Sequence, residues 1–328
     1  MRVLVSGLGS IGCRHARNFL SAGVDEIIGY DPDEGRRTKF SSEFSARTFA
    51  SLESAICEEV DLAVIASPNI YHVSQSIVCA KASVNLFIEK PLGCSDENLD
   101  LLSEVIKTNK LFCHVGSNWK YHPAFIQMKD MLERQAFGKP LAVKVLAGQW
   151  LPSWHPYEDY RTMYAARSNL GGGIHFDTHE LDYLVWMFGK IKSINGSVLN
   201  SGVLEIDTAD LMSLNLQFEG GVVGGLQADY LQVATRREYC ITCEKGTIDW
   251  DIRASTIQLN SLKGRNELDV SQPLGAMYIA QTNDILQRIQ NSQEATTSFE
   301  QAKYVLGWQL FLNSIYTAES LVVGGSYD

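Results

Sequence analysis

No stretch of this chain holds the ~20 consecutive apolar residues that a membrane-crossing helix requires, so the sequence argues against a spanning segment. Basic residues are also in short supply: 28 Lys and Arg stand against 38 Asp and Glu, a formal charge of −10. Such a balance lacks the clustered cations that nucleic acids and anionic membranes select, and neither partner is expected. The seven cysteines, scattered from Cys13 to Cys243, are odd in number and read as reduced thiols rather than a disulfide framework. Cys240 and Cys243 form a lone C-x-x-C with no second pair at zinc spacing, in a stretch that alternates like a strand. They read as structural filler, and no metal site is expected. Internal repeats and low-complexity tracts are missing too. Met1-Arg2-Val3 runs straight into a strand, which leaves no place for a signal peptide. Together with the thiols, this points to a cytoplasmic protein.

What is present suits two cores, because 328 residues with 45% apolar side chains suggest two domains. The first third alternates apolar strands with amphipathic helices. Strands are expected at 3–6, 26–30, 62–66, 85–88 and 111–115, and helices at 13–22, 33–40, 70–81 and 96–108. That rhythm is the signature of a doubly wound parallel sheet, an α/β class. Near Trp119 it changes. A helix over 123–135 and a strand over 141–147 lead to a long aromatic loop and a helix over about 177–188. Strands then follow in series at 191–199, 210–218, 222–232, 237–244, 246–251 and 256–259, and helices over 276–290 and 299–319 close the chain. Strands in series read as one large open, mostly antiparallel sheet. The expected division is a dinucleotide-binding Rossmann domain over 1–120 and an α+β substrate and oligomerisation domain over 121–328. The closing helices have the option of packing back toward the first domain. A sheet of about six strands needs both faces covered. A second subunit is the natural cover for one of them, so a homo-oligomer, dimer or tetramer, is expected.

The most informative motif is Gly7-Leu8-Gly9-Ser10-Ile11-Gly12, which follows an apolar strand and opens a helix. In that context the glycines have separate tasks: Gly7 for a tight turn, Gly9 for close approach of a pyrophosphate, Gly12 for helix–strand packing. The helix N-terminus supplies N–H groups and a partial positive charge to the phosphates. Asp31 ends the second strand, 19 residues after Gly12. This is close to the ~20 expected of the carboxylate that bonds the ribose hydroxyls, and it favours NAD, although Arg36 and Arg37 keep NADP open.

Three further segments carry chemistry. Ser67-Pro68-Asn69-Ile70-Tyr71-His72 follows the strand at 62–66, where ligands of doubly wound sheets sit; Ser67 and Asn69 would also serve as helix caps. Glu89-Lys90-Pro91 follows the strand at 85–88, and Pro91 restricts Lys90 to an extended backbone. Gly171-Gly172-Gly173 leads to His175, Asp177, His179, Glu180 and Asp182. On one continuous helix, His175, His179 and Asp182 would share a face distinct from the apolar stripe of Leu181, Leu184, Val185 and Phe188. Two imidazoles and a carboxylate so placed suit acid/base work more than a metal, for which a further ligand is lacking. Asp177 with Glu180 would also make a capping box.

Together these segments resemble the glucose–fructose oxidoreductase and inositol dehydrogenase family of sugar oxidoreductases, the Gfo/Idh/MocA family. The resemblance spans essentially the whole chain and includes Val115-Gly116-Ser117-Asn118-Trp119-Lys120-Tyr121-His122-Pro123; Glu89-Lys90-Pro91 is its most specific part. It implies a Rossmann domain followed by an open-faced sheet domain. It also implies catalytic roles for Lys90 and His179, and cofactor contacts from Gly7, Gly9, Ser10, Ile11, Gly12, Asp31, Ser67, Pro68, Asn69, His72, Glu89, Lys90 and Asn118. The family aspartate commonly lies four residues before the histidine. Here that position is His175, while counting from the glycines selects Asp177, so either His175 or Asp177 accompanies His179.

The expected function is an NAD-dependent oxidoreductase acting on a secondary alcohol or ketone of a sugar, with a sugar phosphate or nucleotide sugar favoured. The loop at 149–161 is expected to contact that substrate. Trp150, Trp154, Tyr157 and Tyr160 offer flat faces for a pyranose, and His155, Asp159, Arg161 and the more distant Lys120 offer polar groups. NAD-dependent redox-assisted glycoside hydrolysis and non-catalytic nucleotide sensing are the rival readings. Retention of both Lys90 and His179 weighs against the second.

Overall fold

The computed structural model describes residues 1–323 apart from His155, Tyr157 and Leu274. The chain forms two units, one of Met1–Asn118 with Gly275–Gly307, the other of Trp119–Leu274 with Trp308–Asp328.

In the first unit, strands β1 (Arg2–Ser6), β2 (Glu26–Tyr30), β3 (Arg47–Phe49), β4 (Leu62–Ile65), β5 (Asn85–Ile88) and β6 (Cys113–Val115) alternate with helices. These are α1 (Ser10–Ser21), α2 (Glu34–Phe44), α3 (Leu52–Ile56), α4 (His72–Lys81) and α5 (Leu99–Thr108). The sheet is parallel at every pairing, with order β3-β2-β1-β4-β5-β6. Val3, Leu4 and Val5 are all fully buried, as a strand must be when both faces of a parallel sheet are covered. The order reverses between β1 and β4, and that switch point opens a crevice beyond their carboxyl ends. Gly7 leaves β1 there, and Ala66 leaves β4.

The second unit begins with α6 (Pro123–Glu133) and β7 (Pro140–Gly148), then α7 (Ile174–Asp177) and α8 (Glu180–Phe188). Seven strands follow: β8 (Ile191–Leu199), β9 (Leu211–Phe218), β10 (Val223–Asp229), β11 (Arg236–Cys243), β12 (Gly246–Asp251), β13 (Thr256–Ser261) and β14 (Gly264–Asp269). They form one eight-stranded sheet of order β14-β13-β12-β11-β7-β10-β9-β8. All its pairings are antiparallel except β7 with β10. Alternation along β9 is clean: Met212, Leu214, Leu216 and Phe218 are buried, while Ser213, Asn215 and Gln217 are exposed. The inner face meets α6 and α8, with Phe125 edge-on to Tyr239 and Trp250, and Phe188 against Phe218. Cys240 and Cys243 point to opposite faces of β11, the first exposed and the second buried, so the strand pleat keeps the C-x-x-C from closing on one ligand.

Two helices end the chain, α9 (Ala276–Gln290) and α10 (Phe299–Val323). Ile285 of α9 joins the core of the first unit beside Val3, Phe19 and Phe87. No helix among the described residues is long and apolar enough to cross a membrane.

The expectations for local structure need correction at three places. The second sheet has eight strands rather than about six. The sequence reading also lacked β3, α3 and β14, all short or strongly polar. The helix expected over 177–188 is interrupted, because Thr178 adopts an extended backbone (φ −65°, ψ 140°) and α8 starts afresh after His179. His175 and His179 therefore do not stack on one helical face.

Candidate active site

The glycine loop fits a dinucleotide glycine by glycine. Gly7 has φ +96°, and a Cβ there would lie 2.6 Å from Ala66 O and Ser67 N. A Cβ on Gly12 would lie 2.0 Å from Gly7 O. A Cβ on Gly9 would meet nothing within 4 Å, which leaves open space at the N-terminus of α1, where no side chain caps the helix. The loop is thus closed on both sides and open where a pyrophosphate would approach, facing the uncapped N–H groups of Ser10, Ile11 and Gly12. Asp31, nearly buried, accepts the N–H of Leu8 at Oδ2 and of Asp33 at Oδ1, each 2.9 Å away. A carboxylate has about four acceptor positions, so two remain for ribose hydroxyls. Arg36 stands 3.7 Å from Asp31 Oδ2, whereas Arg37 is bound to the carbonyls of Asp31 and Pro32.

Beyond β4, Ser67 does not cap a helix as the sequence allowed; its hydroxyl donates to Gln75, as does that of Ser6. Pro68 precedes a 3-10 turn, Asn69–Tyr71, from which α4 continues. His72 is buried, with its ring nitrogens 2.7 Å from Pro91 O and 2.8 Å from Ser67 O. It ties this loop to the Glu89-Lys90-Pro91 segment. Burial holds its pKa below the usual imidazole range, although both carbonyls favour the proton.

Glu89 turns back into its own unit. Its Oε1 lies 2.6 Å from His15 Nε2, and its Oε2 accepts the N–H of Lys90 at 3.1 Å. Burial alone would raise the Glu89 pKa, but His15 and Lys90 outweigh it and hold the carboxyl below its ordinary range. The Lys90-Pro91 peptide is cis. Asn118 reaches the Met277 sulfur at 3.6 Å.

In the second unit, Gly171 (φ +77°) and Gly173 (φ +116°) take left-handed backbone, and a Cβ on Gly172 would lie 2.2 Å from Tyr164 O. This crowding brings Asp177 against two tyrosines: its carboxylate accepts Tyr164 OH at 2.7 Å and Tyr230 OH at 3.4 Å. Asp177 therefore makes no capping box; Thr178 Oγ1 contacts Glu180 instead, and Glu180 also pairs with Arg237 at 2.7 Å. His175 is 1% exposed, with Nε2 3.2 Å from Asn313 of α10, and burial pushes its pKa down to about 4. His179 is more open than His175; its Nδ1 lies 3.0 Å from the hydroxyl of Tyr183, whose ring runs parallel to it.

The expected substrate residues are spread more widely. Lys120 is buried, with Nζ 2.8 Å from Asp182 and 5.7 Å from the Trp186 ring centre. Trp150 precedes the 3-10 turn Leu151–Ser153, and Trp154 meets Tyr230 edge-on at 5.4 Å. Arg161 covers Tyr160 and pairs with Glu205 and Asp159 on the surface. His155 and Tyr157 lie outside the described residues. The sequence reading passed over His15, Tyr164, Tyr183 and Tyr230, and quoted Gly116 only as part of the motif at 115–123 without a role of its own. Only His15 carried a signal, three residues after Gly12 on the cofactor helix.

Two family profiles match the chain: an oxidoreductase family with an NAD-binding Rossmann fold over residues 1–117, and the GFO/IDH/MocA C-terminal domain over residues 125–249. A scyllo-inositol 2-dehydrogenase (NAD(+)) from Bacillus subtilis is 26% identical over 238 residues, covering 70% of this chain and 67% of that protein. A UDP-N-acetylglucosamine 3-dehydrogenase from Acidithiobacillus ferrooxidans is 30% identical over 141 residues, 43% of each chain. A levoglucosan dehydrogenase solved with NADH and levoglucosan has the same fold, with a TM-score of 0.87 at 17% identity over 97% of this chain and 98% of that one. With an NAD-binding Rossmann domain and the matching second domain in one polypeptide, the chain belongs to the Gfo/Idh/MocA family of oxidoreductases and is an NAD-binding enzyme of the sugar-dehydrogenase type.

Proposed function

We propose that the protein oxidises a secondary alcohol of a sugar derivative, or reduces the corresponding ketone, with a sugar phosphate or nucleotide sugar as the substrate class. The observation that carries the reading is the setting of Lys90: it follows β5 at the carboxyl edge of the parallel sheet, and its backbone N–H is held by Glu89. Bound NAD supplies the hydride acceptor, and positioning and proton handling fall to the protein. The Lys90 ammonium hydrogen-bonds the reacting oxygen and stabilises its alkoxide character. His179 exchanges the proton of that oxygen, work suited to an imidazole near neutral pH. Asp177, fixed by its two tyrosines, is the better companion to His179 than the enclosed His175. Trp150, Trp154, Tyr160, Arg161 and Lys120 form the sugar-recognition set of the reading. A second copy covers the outward face of the eight-stranded sheet. The UDP-N-acetylglucosamine enzyme among the relatives supports a nucleotide sugar, and the inositol enzyme supports redox chemistry at a ring alcohol.

The deciding experiment is a screen of sugars, sugar phosphates and nucleotide sugars for NADH absorbance, preceded by mass spectrometry for nucleotide retained on the purified protein. Stoichiometric NADH formation with a sugar derivative supports the reading. Net hydrolysis of a glycoside without cofactor turnover replaces it by the redox-assisted hydrolase, and nucleotide binding with no turnover across the screen replaces it by a sensor.

A further inference from the structure

Three groups of the first unit converge on one carboxylate, that of Glu89. Helix α1, which opens at the glycine loop, carries His15 on its buried side. The His15 ring is fully enclosed, edge-on to Phe87 at 4.8 Å and to Tyr278 at 6.4 Å. Its Nδ1 has no hydrogen-bond partner among the described residues, so the 2.6 Å contact from Nε2 to Glu89 is its polar anchor. The other oxygen of Glu89 accepts the N–H of Lys90. Gly116, whose N–H donates to Ile88 O at the end of β5, closes the space behind: a Cβ there would lie 2.9 Å from Glu89 Oε2 and 3.2 Å from Lys90 N.

The carboxylate is held by two donors, His15 Nε2 at 2.6 Å and the Lys90 amide at 3.1 Å. A carboxylate only accepts, so His15 must present its Nε2–H, and the Lys90 amide must present its own. Removing one donor would leave a buried carboxylate half satisfied, and the carboxylate would turn to find another. The backbone of Lys90 would turn with it.

We propose that His15 is a positioning residue for Lys90, acting through Glu89, and that Gly116 is required to leave the carboxylate room. The inference rests on the reading of Lys90 as the group that meets the substrate oxygen. It adds that the cofactor helix and the catalytic lysine are joined by one side-chain link, so the placement of Lys90 is set from α1.

The test uses His15→Leu, His15→Gln and Gly116→Ala in the full-length protein, with Lys90→Met as reference. Four quantities are measured: turnover on the sugar found by the screen, NAD affinity by fluorescence titration, melting temperature, and labelling of Lys90 by an amine-acylating reagent, read by mass spectrometry. For His15→Leu, turnover should fall about tenfold or more, the scale on which small misplacements of a reacting group cost rate. NAD affinity should stay within about threefold, and the rate of Lys90 labelling should change. His15→Gln, whose amide keeps a donor, should recover most of both. Gly116→Ala should reproduce the His15→Leu pattern without deleting any polar group, and it carries the test should His15→Leu fail to fold. Unchanged turnover and labelling in His15→Leu or Gly116→Ala overturns the proposal. So does a uniform loss of turnover, NAD affinity and melting temperature that His15→Gln does not recover, which marks a structural histidine. Near-normal turnover in Lys90→Met overturns the reading of Lys90 itself. A collapsed Lys90→Met beside an unaffected His15→Leu overturns the positioning role alone.

Discussion

One oxygen of Asp31 holds the backbone N–H of Leu8 at 2.9 Å, so the residue that ends β2 also shapes the glycine loop. The carboxylate therefore has two jobs, to present acceptors to the ribose and to fix Leu8 between Gly7 and Gly9. NAD should bind more tightly than NADP, because a 2′-phosphate would meet this buried charge. Arg36 is the guanidinium placed to answer a phosphate, since Arg37 is spent on two carbonyls. Asp31→Ala should weaken NAD by about tenfold, the loss of a charge-assisted hydrogen bond, and narrow the gap to NADP. Titration of both nucleotides on both proteins checks this; tighter NADP binding by the wild type would refute it.

Lys90→Met should leave NAD binding nearly intact while turnover drops by orders of magnitude, because the lost stabilisation belongs mainly to the transition state. His179→Ala should cost about 10²–10⁴-fold and change the pH–rate profile. An unaltered profile in that variant would move proton transfer to Asp177, His175 or solvent.

His175 makes stability pH-dependent. Burial pushes its pKa from 6.5 down to about 4, so between those values the unfolded chain carries a proton that the folded chain refuses. Stability is then full above pH 6.5 and falls as pH drops toward 4, by at most about 3 kcal/mol. His175→Gln should flatten that part of the curve of melting temperature against pH. An equally steep variant would assign the slope elsewhere; His122, also pushed down to about 4 by burial, is the next place to look.

Arg161→Ala should raise KM with an unchanged melting temperature, since its ion pairs with Asp159 and Glu205 are exposed and contribute little to stability. Trp154→Ala should lower kcat/KM and also destabilise, because the indole packs on Tyr230. Intact kinetics in both variants would make the loop a packing element.

Gly225 sits mid-sheet, opposite Lys144 on β7 and Asn215 on β9, with open space where a side chain would stand. Gly225→Arg should therefore fold normally, and under the proposal that a second copy covers this face it should lower the mass seen by light scattering relative to the wild type. An unchanged mass would place the subunit contact elsewhere.

Much of this was legible because the decisive signals are local. The Gly7–Gly12 loop, Asp31 and Glu89-Lys90-Pro91 announce themselves through spacing and their place after apolar strands, and the strands at 191–199 and 246–251 fall on the residues read from the sequence. What was hidden depends on contacts distant in the chain. The break at Thr178 follows a run of glycines in which Gly172 is crowded against Tyr164 and Ala165, which no helical periodicity encodes. Asp177 and Glu180 look like a capping box until Tyr164, Tyr230 and Arg237 claim them. The link of Glu89 to His15 was hidden because 74 residues separate them.

One of the two strands that the sequence reading missed sets a boundary. β14 pairs only with β13 and carries Arg265, Glu267 and Asp269 in a nearly fully exposed run. A ninth strand, from any source, would have to lay its backbone along a ribbon of like and unlike charges still clothed in water. The sheet is thus finished on that flank, and the second copy proposed above is not one that lengthens the row from β14.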